Sequence, residues 1–315
     1  MPIRNFPPLR NGLVLTDGGI ETVLIYEDGI ALPEFAAFPL LATVDGRAAL
    51  RRYYQRYLDI AADTPGAGYI LESPTWRASA DWGAKLGFDA GMLADFNLDA
   101  MALMRELRDT YASRISGDMV LSGCIGPRGD GYVAGQAMSD DAATAFHAPQ
   151  AAALAAGGAE IISGITMTSS AEAVGVARAA AAAGLPSVLS FTTETDGRLP
   201  SGETLCDAIA RIDSLATARP AYYMLNCAHP THFDAVLPGL GAQAQRIHGL
   251  RANASARSHA ELNEATELDP GDPVDLGDRY RALRRLLPAL RVVGGCCGTS
   301  HRHIRAIRDA WQREA

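Results

Sequence analysis

Eight short apolar runs punctuate this chain, and longer segments of helical character separate most of them. The runs fall at 12–19 (GLVLTDGG), 68–73 (GYILES), 118–126 (DMVLSGCIG), 159–166 (AEIISGIT), 186–192 (PSVLSFT), 221–227 (AYYMLNC), 245–253 (QRIHGLRAN) and 291–297 (RVVGGCC). Their length and their content of β-branched and aromatic residues predict buried strands. Helices are predicted over 46–63, 96–114, about 171–183 and 280–290, and the Ala-rich stretch 142–184 is biased but helix-compatible, not a disordered repeat. Within 46–63, Tyr53, Tyr57, Ile60 and Ala61 share one helical face. Strands that alternate with helices pair in parallel through crossovers, and eight such units close into a single (β/α)8 TIM barrel. A chain of 315 residues has the size for one such barrel domain over 1–315, and no Gly-, Ser- or Pro-rich linker divides it. The other architecture with this alternation is an open doubly wound sheet. No G-x-G-x-x-G follows the first run, which weakens its nucleotide-binding version.

Charge and composition exclude several partners. The net charge is −8 and no basic cluster stands out, which argues against nucleic acid and anionic membrane. No apolar run reaches the roughly 18 residues of a membrane span. The first residues, MPIRNFPPLRNG, lack the pattern of a secretory signal. Five cysteines, an odd number in a large chain, argue for a reducing, cytoplasmic setting and against a disulfide framework. Oligomeric state leaves no mark on the sequence.

Three of those cysteines carry the chemistry. Cys227 ends the sixth predicted strand, and Cys296 and Cys297 end the eighth, in VGGCCGTSH. Both sites lie at the C-terminal mouth of a barrel, where alternate strands aim side chains at a common point. Neighbouring residues of an extended strand face opposite ways, so two adjacent thiols converge only where the chain turns. Gly294, Gly295 and Gly298 give it that freedom. Three converging thiolates suit Zn²⁺, and a three-cysteine set leaves the fourth tetrahedral position open, as a catalytic zinc requires. Cys124, on the third strand, and Cys206, in a helix-like segment, do not fit as a fourth ligand. The alternative is a set of buried, inert thiols. The polar, acidic segment 254–278, long for a connection, reads as a partial lid over the same face.

The motifs MLNC at 224–227 and VGGCCGTSHRHIRAI at 293–307 resemble the zinc signature of the homocysteine S-methyltransferase family. LTDGGIET (15–22), GPRGDGY (126–132), SFTTETDGRLPSGETL (190–205) and RANAS (251–255) follow in the family's order, so the resemblance spans nearly the whole chain. It implies a (β/α)8 barrel, with Cys227, Cys296 and Cys297 as ligands of Zn²⁺. It implies a small-molecule thiol acceptor, homocysteine, that gives methionine. A negatively charged thiolate cluster favours a cationic methyl donor, and S-methylmethionine or S-adenosylmethionine is expected. Betaine, another onium compound or a separate corrinoid protein are the other donors, and a different thiol or a selenol is the other acceptor. The opposing class is a non-catalytic zinc or redox barrel.

The resemblance also assigns Asp17 to the acceptor's ammonium group, with Gly18 and Gly19 allowing close approach of backbone amides; an Asx turn is the other role for Asp17. Asn226 is expected to orient a cysteine or to touch substrate. Many family members carry a Glu at the end of the fourth strand, where this chain has Ile165. Glu72, together with Glu194, is expected to take over that carboxylate's role. Trp76 and Trp82 are candidates to stack on a cationic donor. His229 and His232 are candidates to line the site or to sit in a solvated loop, and His301 and His303 are expected to decorate the last helix, with Thr299 or Ser300 as its N-cap.

Overall fold

Alternation along the strands decides what fills the centre of this molecule. In the computed structural model, which describes residues 12–133, 135 and 137–313, eight parallel strands close in sequence order into a barrel. Residues 1–11, which include most of the stretch read for a secretory signal, lie outside the described residues. The strands are β1 (Val14–Leu15), β2 (Gly68–Glu72), β3 (Met119–Ile125), β4 (Ile161–Met167), β5 (Ser187–Phe191), β6 (Tyr222–Asn226), β7 (Ile247–Ala252) and β8 (Val292–Gly295). β8 pairs with both β7 and β1, which closes the ring and rules out the open sheet.

Outward residues such as Leu71, Leu121, Ile162, Leu189, Leu225 and Leu250 pack against the surrounding helices in one large core. Inward residues at the lower end, among them Val14, Ile70, Val120, Ile161, Val188 and Val292, form a second, smaller core inside the barrel. Higher along the same inward rows the residues turn polar: Glu72, Ser122, Ser163, Ser190 and Arg251 are all buried. The period-2 rule therefore builds an apolar floor and a polar ceiling from one set of strands.

The helices follow the predicted pattern with shifted ends. They include Val44–Ala62, Ala90–Tyr111, Asp140–Ala156, Ser170–Ala182, Pro273–Leu283 and His301–Gln312. Tyr53, Tyr57, Ile60 and Ala61 are buried together, as their spacing required. No helix among the described residues is long and apolar enough to cross a membrane. The segment expected as a lid divides in two. Its last part belongs to the helix Pro273–Leu283, whose N-cap Asp272 accepts from the amides of Val274 and Asp275. The remainder folds over the mouth with a short helix, His259–Glu264, started by a Ser258–Glu261 capping box.

Arg251 is the largest group in the polar ceiling. From β7 its guanidinium spans the barrel to Asp17 Oδ1, 2.5 Å away, and to the carboxylate of Glu72 on β2. Its Nε donates to the Gly295 carbonyl of β8 at 3.1 Å. One cation thus ties four strands' C-terminal ends across the interior. Removing one member of a buried ion network leaves its partners charged and unpaired. Arg251→Met should lower the unfolding free energy by about 3–5 kcal/mol, read as a fall in the urea midpoint at unchanged m-value; a variant of wild-type stability would show that the network is not structural.

Candidate active site

The turns that follow β6 and β8 carry the sulfur atoms. Cys227 is the first residue past β6, and its backbone is left-handed with φ of 52°. That conformation costs a non-glycine residue roughly 1–2 kcal/mol. Three donors converge on the Cys227 carbonyl and hold the turn: His259 Nε2 at 2.7 Å, Asn253 Nδ2 at 3.0 Å and Thr192 Oγ1 at 3.3 Å. Each such bond contributes about 1 kcal/mol net, enough together to offset the strain. Past β8 the amide of Cys296 still donates to the Ala252 carbonyl, and the chain reverses at Gly298, where φ is 78°. Gly294 and Gly295 have no left-handed backbone, so the turning freedom expected of three glycines resides in one.

These two turns bring Cys227, Cys296 and Cys297 together, with all three Sγ atoms within 4.8 Å of one another. Cys227 and Cys296 are joined as a disulfide, with Cα atoms 5.3 Å apart. Cys297 Sγ lies 3.9 Å from Cys227 Sγ. The expectation that the cysteines stay unpaired is corrected for this pair: sulfurs gathered closely enough to share an ion are also close enough to bond to each other. With the Cys227–Cys296 bond reduced, the donor set fits zinc. Sulfurs bonded at about 2.3 Å to a tetrahedral centre stand roughly 3.8 Å apart, which matches the Cys227–Cys297 separation. Cys124 and Cys206 lie outside the cluster.

Two compartments meet at the sulfurs. The inner one, about 70 Å³, is lined by Asp17, Gly18, Gly19, Glu21, Glu72 and Ile165, among others. The outer one, about 300 Å³, is lined by Arg77, Asp130, Tyr132 and, from the lid, Leu262, Asn263, Ala265, Glu267, Leu268 and Asp269. Thr22, Phe35, Trp76, Thr166, Cys227 and Cys297 border both.

The inner wall comes from the β1 turn. Gly18 and Gly19 line it, but their closest neighbours are protein. A Cβ on Gly18 would stand 2.6 Å from the Thr299 carbonyl, and one on Gly19 would stand 2.5 Å from the Cys296 carbonyl. The Gly19 amide donates to Thr299 O at 3.0 Å. The two glycines therefore let the β1 turn lie flat against the cysteine turn. Asp17 accepts from Arg251 and, at 2.9 Å, from the Tyr53 hydroxyl; burial pushes its carboxyl up, and the Arg251 charge opposes that. Glu72 reaches the compartment, but Arg251 already pairs with it, and Ser122 donates to its other oxygen at 3.4 Å. Glu194 lines neither compartment and sits 3.2 Å from His259 Nδ1.

Asn226 holds rather than borders the site. Its Oδ1 accepts from the Thr166 amide at 3.0 Å and from Ser190 at 2.6 Å. Its Nδ2 donates to Thr166 Oγ1 at 2.7 Å and points to Cys296 Sγ at 3.8 Å. Tyr132 hydrogen-bonds to Cys297 and stacks on His259 at 4.1 Å. Trp76 borders both compartments, anchored by its Nε1 on the Ile165 carbonyl. Trp82 lies behind it, with Arg77 stacked on its ring at 3.8 Å.

Three residues with functional positions had no sequence signal of their own. Arg251 was read only as part of RANAS. His259 sits inside the polar lid segment, and Glu21 follows the TDGG turn. Three histidines tie the lid: His259 to Cys227 O, His232 to Ala256 O at 2.9 Å, and His303 to Pro270 O at 2.8 Å. His303 is therefore buried, not a surface decoration of the last helix, while Ser300 is that helix's N-cap as expected. His229 and His232 line neither compartment.

Comparison with known proteins agrees with this arrangement. The family model for homocysteine S-methyltransferase matches residues 14–311. Homocysteine S-methyltransferase 4 of Zea mays is 23% identical over 326 residues, covering 98% of this chain and 92% of its own. The crystal structure of the oxidized form of the homocysteine methyltransferase MmuM from Escherichia coli is 22% identical, with a TM-score of 0.77 over 96% of this chain and 99% of that one. Its metallated form is 21% identical, with a TM-score of 0.74 over the same shares. Because the family match runs from the first strand into the last helix, this chain belongs to the homocysteine S-methyltransferase family and is an S-methyltransferase, not a non-catalytic zinc or redox barrel.

Proposed function

We propose that this enzyme, in its reduced form, transfers a methyl group from a sulfonium donor, S-methylmethionine or S-adenosylmethionine, to the thiol of homocysteine, giving methionine, with Zn²⁺ held by the free thiolates of Cys227, Cys296 and Cys297. The observation that carries the reading is the position of the sulfur cluster at the junction of two unequal compartments. A compact acceptor suits the inner one and a bulkier donor the outer one. A thiol is mostly protonated at neutral pH; zinc bound to the three sulfurs would supply the charge that keeps the acceptor thiol deprotonated.

The chain's own groups supply position and electrostatics. Trp76 and Tyr132 offer aromatic faces at the junction, and the outer wall adds Asp130, Glu267 and Asp269. Aromatic faces and carboxylates attract an onium centre. Among the described residues Arg77 is the cation of that wall, and its buried Nε has no partner there, which suits the carboxylate of a zwitterionic donor such as S-methylmethionine. Asp17, Gly18, Gly19 and Glu72 form the acceptor's wall, and Asn226 fixes Cys296. The methyl group moves in line between the compartments. The donor S–CH₃ bond breaks, its electron pair stays on the donor sulfur as a neutral thioether, and the acceptor sulfur forms the new S–CH₃ bond after its proton has left to solvent.

A donor–acceptor screen on reduced, zinc-loaded protein should give methionine from homocysteine with S-methylmethionine or S-adenosylmethionine, and little with betaine; turnover with betaine alone, or with a thiol other than homocysteine alone, would overturn the pairing. Trp76→Leu should raise the donor KM about 3–30-fold with a smaller effect on the acceptor KM, as initial-rate kinetics in both substrates would detect. Asn226→Ala should weaken zinc about 10–100-fold in competition with a chromogenic chelator, and unchanged affinity would remove Asn226 from the support of the site.

A further inference from the structure

Ile165 lies in the wall of the inner compartment, where it offers no charge to an acceptor's ammonium group. Three carboxylates line the same compartment: Asp17, Glu21 and Glu72. Two of them already have a cation, since Arg251 pairs with both Asp17 and Glu72. Among the described residues, the carboxylate of Glu21 has no ion pair within 4.0 Å and no hydrogen bond beyond the one from its own backbone amide. Arg77 acts on it through space without closing a pair.

The backbone around Glu21 is held against the sulfur site. Glu21 sits in the helical turn Ile20–Thr22 that follows β1. The next residue, Thr22, accepts from the Gly298 amide at 3.1 Å through its hydroxyl, and the preceding Gly19 lies flat on Cys296. Both ties run to the turn that carries Cys296 and Cys297. The main chain therefore fixes the Glu21 backbone beside the sulfur turn, and its side chain lines the inner compartment. Half-buried and without a counter-ion among the described residues, the carboxylate meets the requirement of a cation-binding group: a charged hydrogen bond to it replaces lost hydration.

We propose that Glu21 binds the ammonium group of the amino-acid acceptor and so selects an α-amino thiol over its des-amino analogue. This rests on the reading of the inner compartment as the acceptor's. Asp17 and Glu72 then serve mainly to hold Arg251, and Glu21 takes the role that the sequence had suggested for Glu72.

The test compares homocysteine with 4-mercaptobutyrate, which keeps the thiol and the carboxylate and lacks the amine, on zinc-loaded wild type and on Glu21→Gln. The wild type should prefer homocysteine. Glu21→Gln, which is isosteric, should raise the homocysteine KM roughly 10–100-fold, lower kcat much less, and leave 4-mercaptobutyrate kinetics unchanged. Calorimetric titration of each thiol into both proteins should show the same selective loss of homocysteine affinity. If the wild type prefers homocysteine and Glu21→Gln keeps that preference, the assignment of Glu21 is overturned while the enzyme's function stands. If the wild type methylates 4-mercaptobutyrate as well as homocysteine, the acceptor reading itself is overturned, and Glu21's role with it.

Discussion

The contact between the β1 turn and the β8 turn is the constraint on which the rest of this structure depends. Gly18 and Gly19 lie within van der Waals reach of the Cys296 and Thr299 carbonyls, and no side chain fits between them. The amide of Gly19 bonds to Thr299, and the amide of Gly298 bonds to Thr22. That seam places the cysteine pair beside the Asp17 turn. Across the barrel, Cys227 is held in a strained conformation by bonds to its carbonyl, one of them from the lid. The sulfur cluster is thus a product of main-chain approach at two turns, and the side chains around it secure what the backbone has arranged.

Much of this was legible in the sequence. Eight apolar runs became eight strands because buried parallel strands read as short apolar segments, and the cysteines were legible at the barrel mouth because they end two such runs, just past the strands themselves. What the pattern could not show was reach. Arg251 belongs to β7, but its guanidinium works on β1, β2 and β8. Periodicity says which way a side chain leaves its strand and says nothing of what it meets across a barrel. For the same reason Glu72 was legible as an inward carboxylate and its pairing was not. The histidines of the lid were hidden differently: they lie in irregular segments, where no period marks a buried face.

The polarity gradient inside the barrel links fold to chemistry. An apolar floor stabilises the closed sheet by burial, and the polar ceiling above it holds charged groups that such a core would not accept without partners. Arg251 makes this possible by hydrogen-bonding to two carboxylates at once and sharing its one charge between them. The family relationship established by the full-length match is consistent with that plan, while the low identity to MmuM, 22%, leaves the lining of each compartment to be read from this chain's own residues.

The lid has the build of a doorway frame. Its posts are set at each end by His232 and His259 on one side and by Asp269, bonded to Ser255 at 2.6 Å, and Pro270 on the other. Between the posts, Leu262, Asn263, Ala265, Glu267 and Leu268 face the outer chamber and belong to no strand. Substitution along that lintel can reshape the entrance for a different visitor while the barrel and its sulfurs stay as they are, so the chain can vary its guest without rebuilding its house.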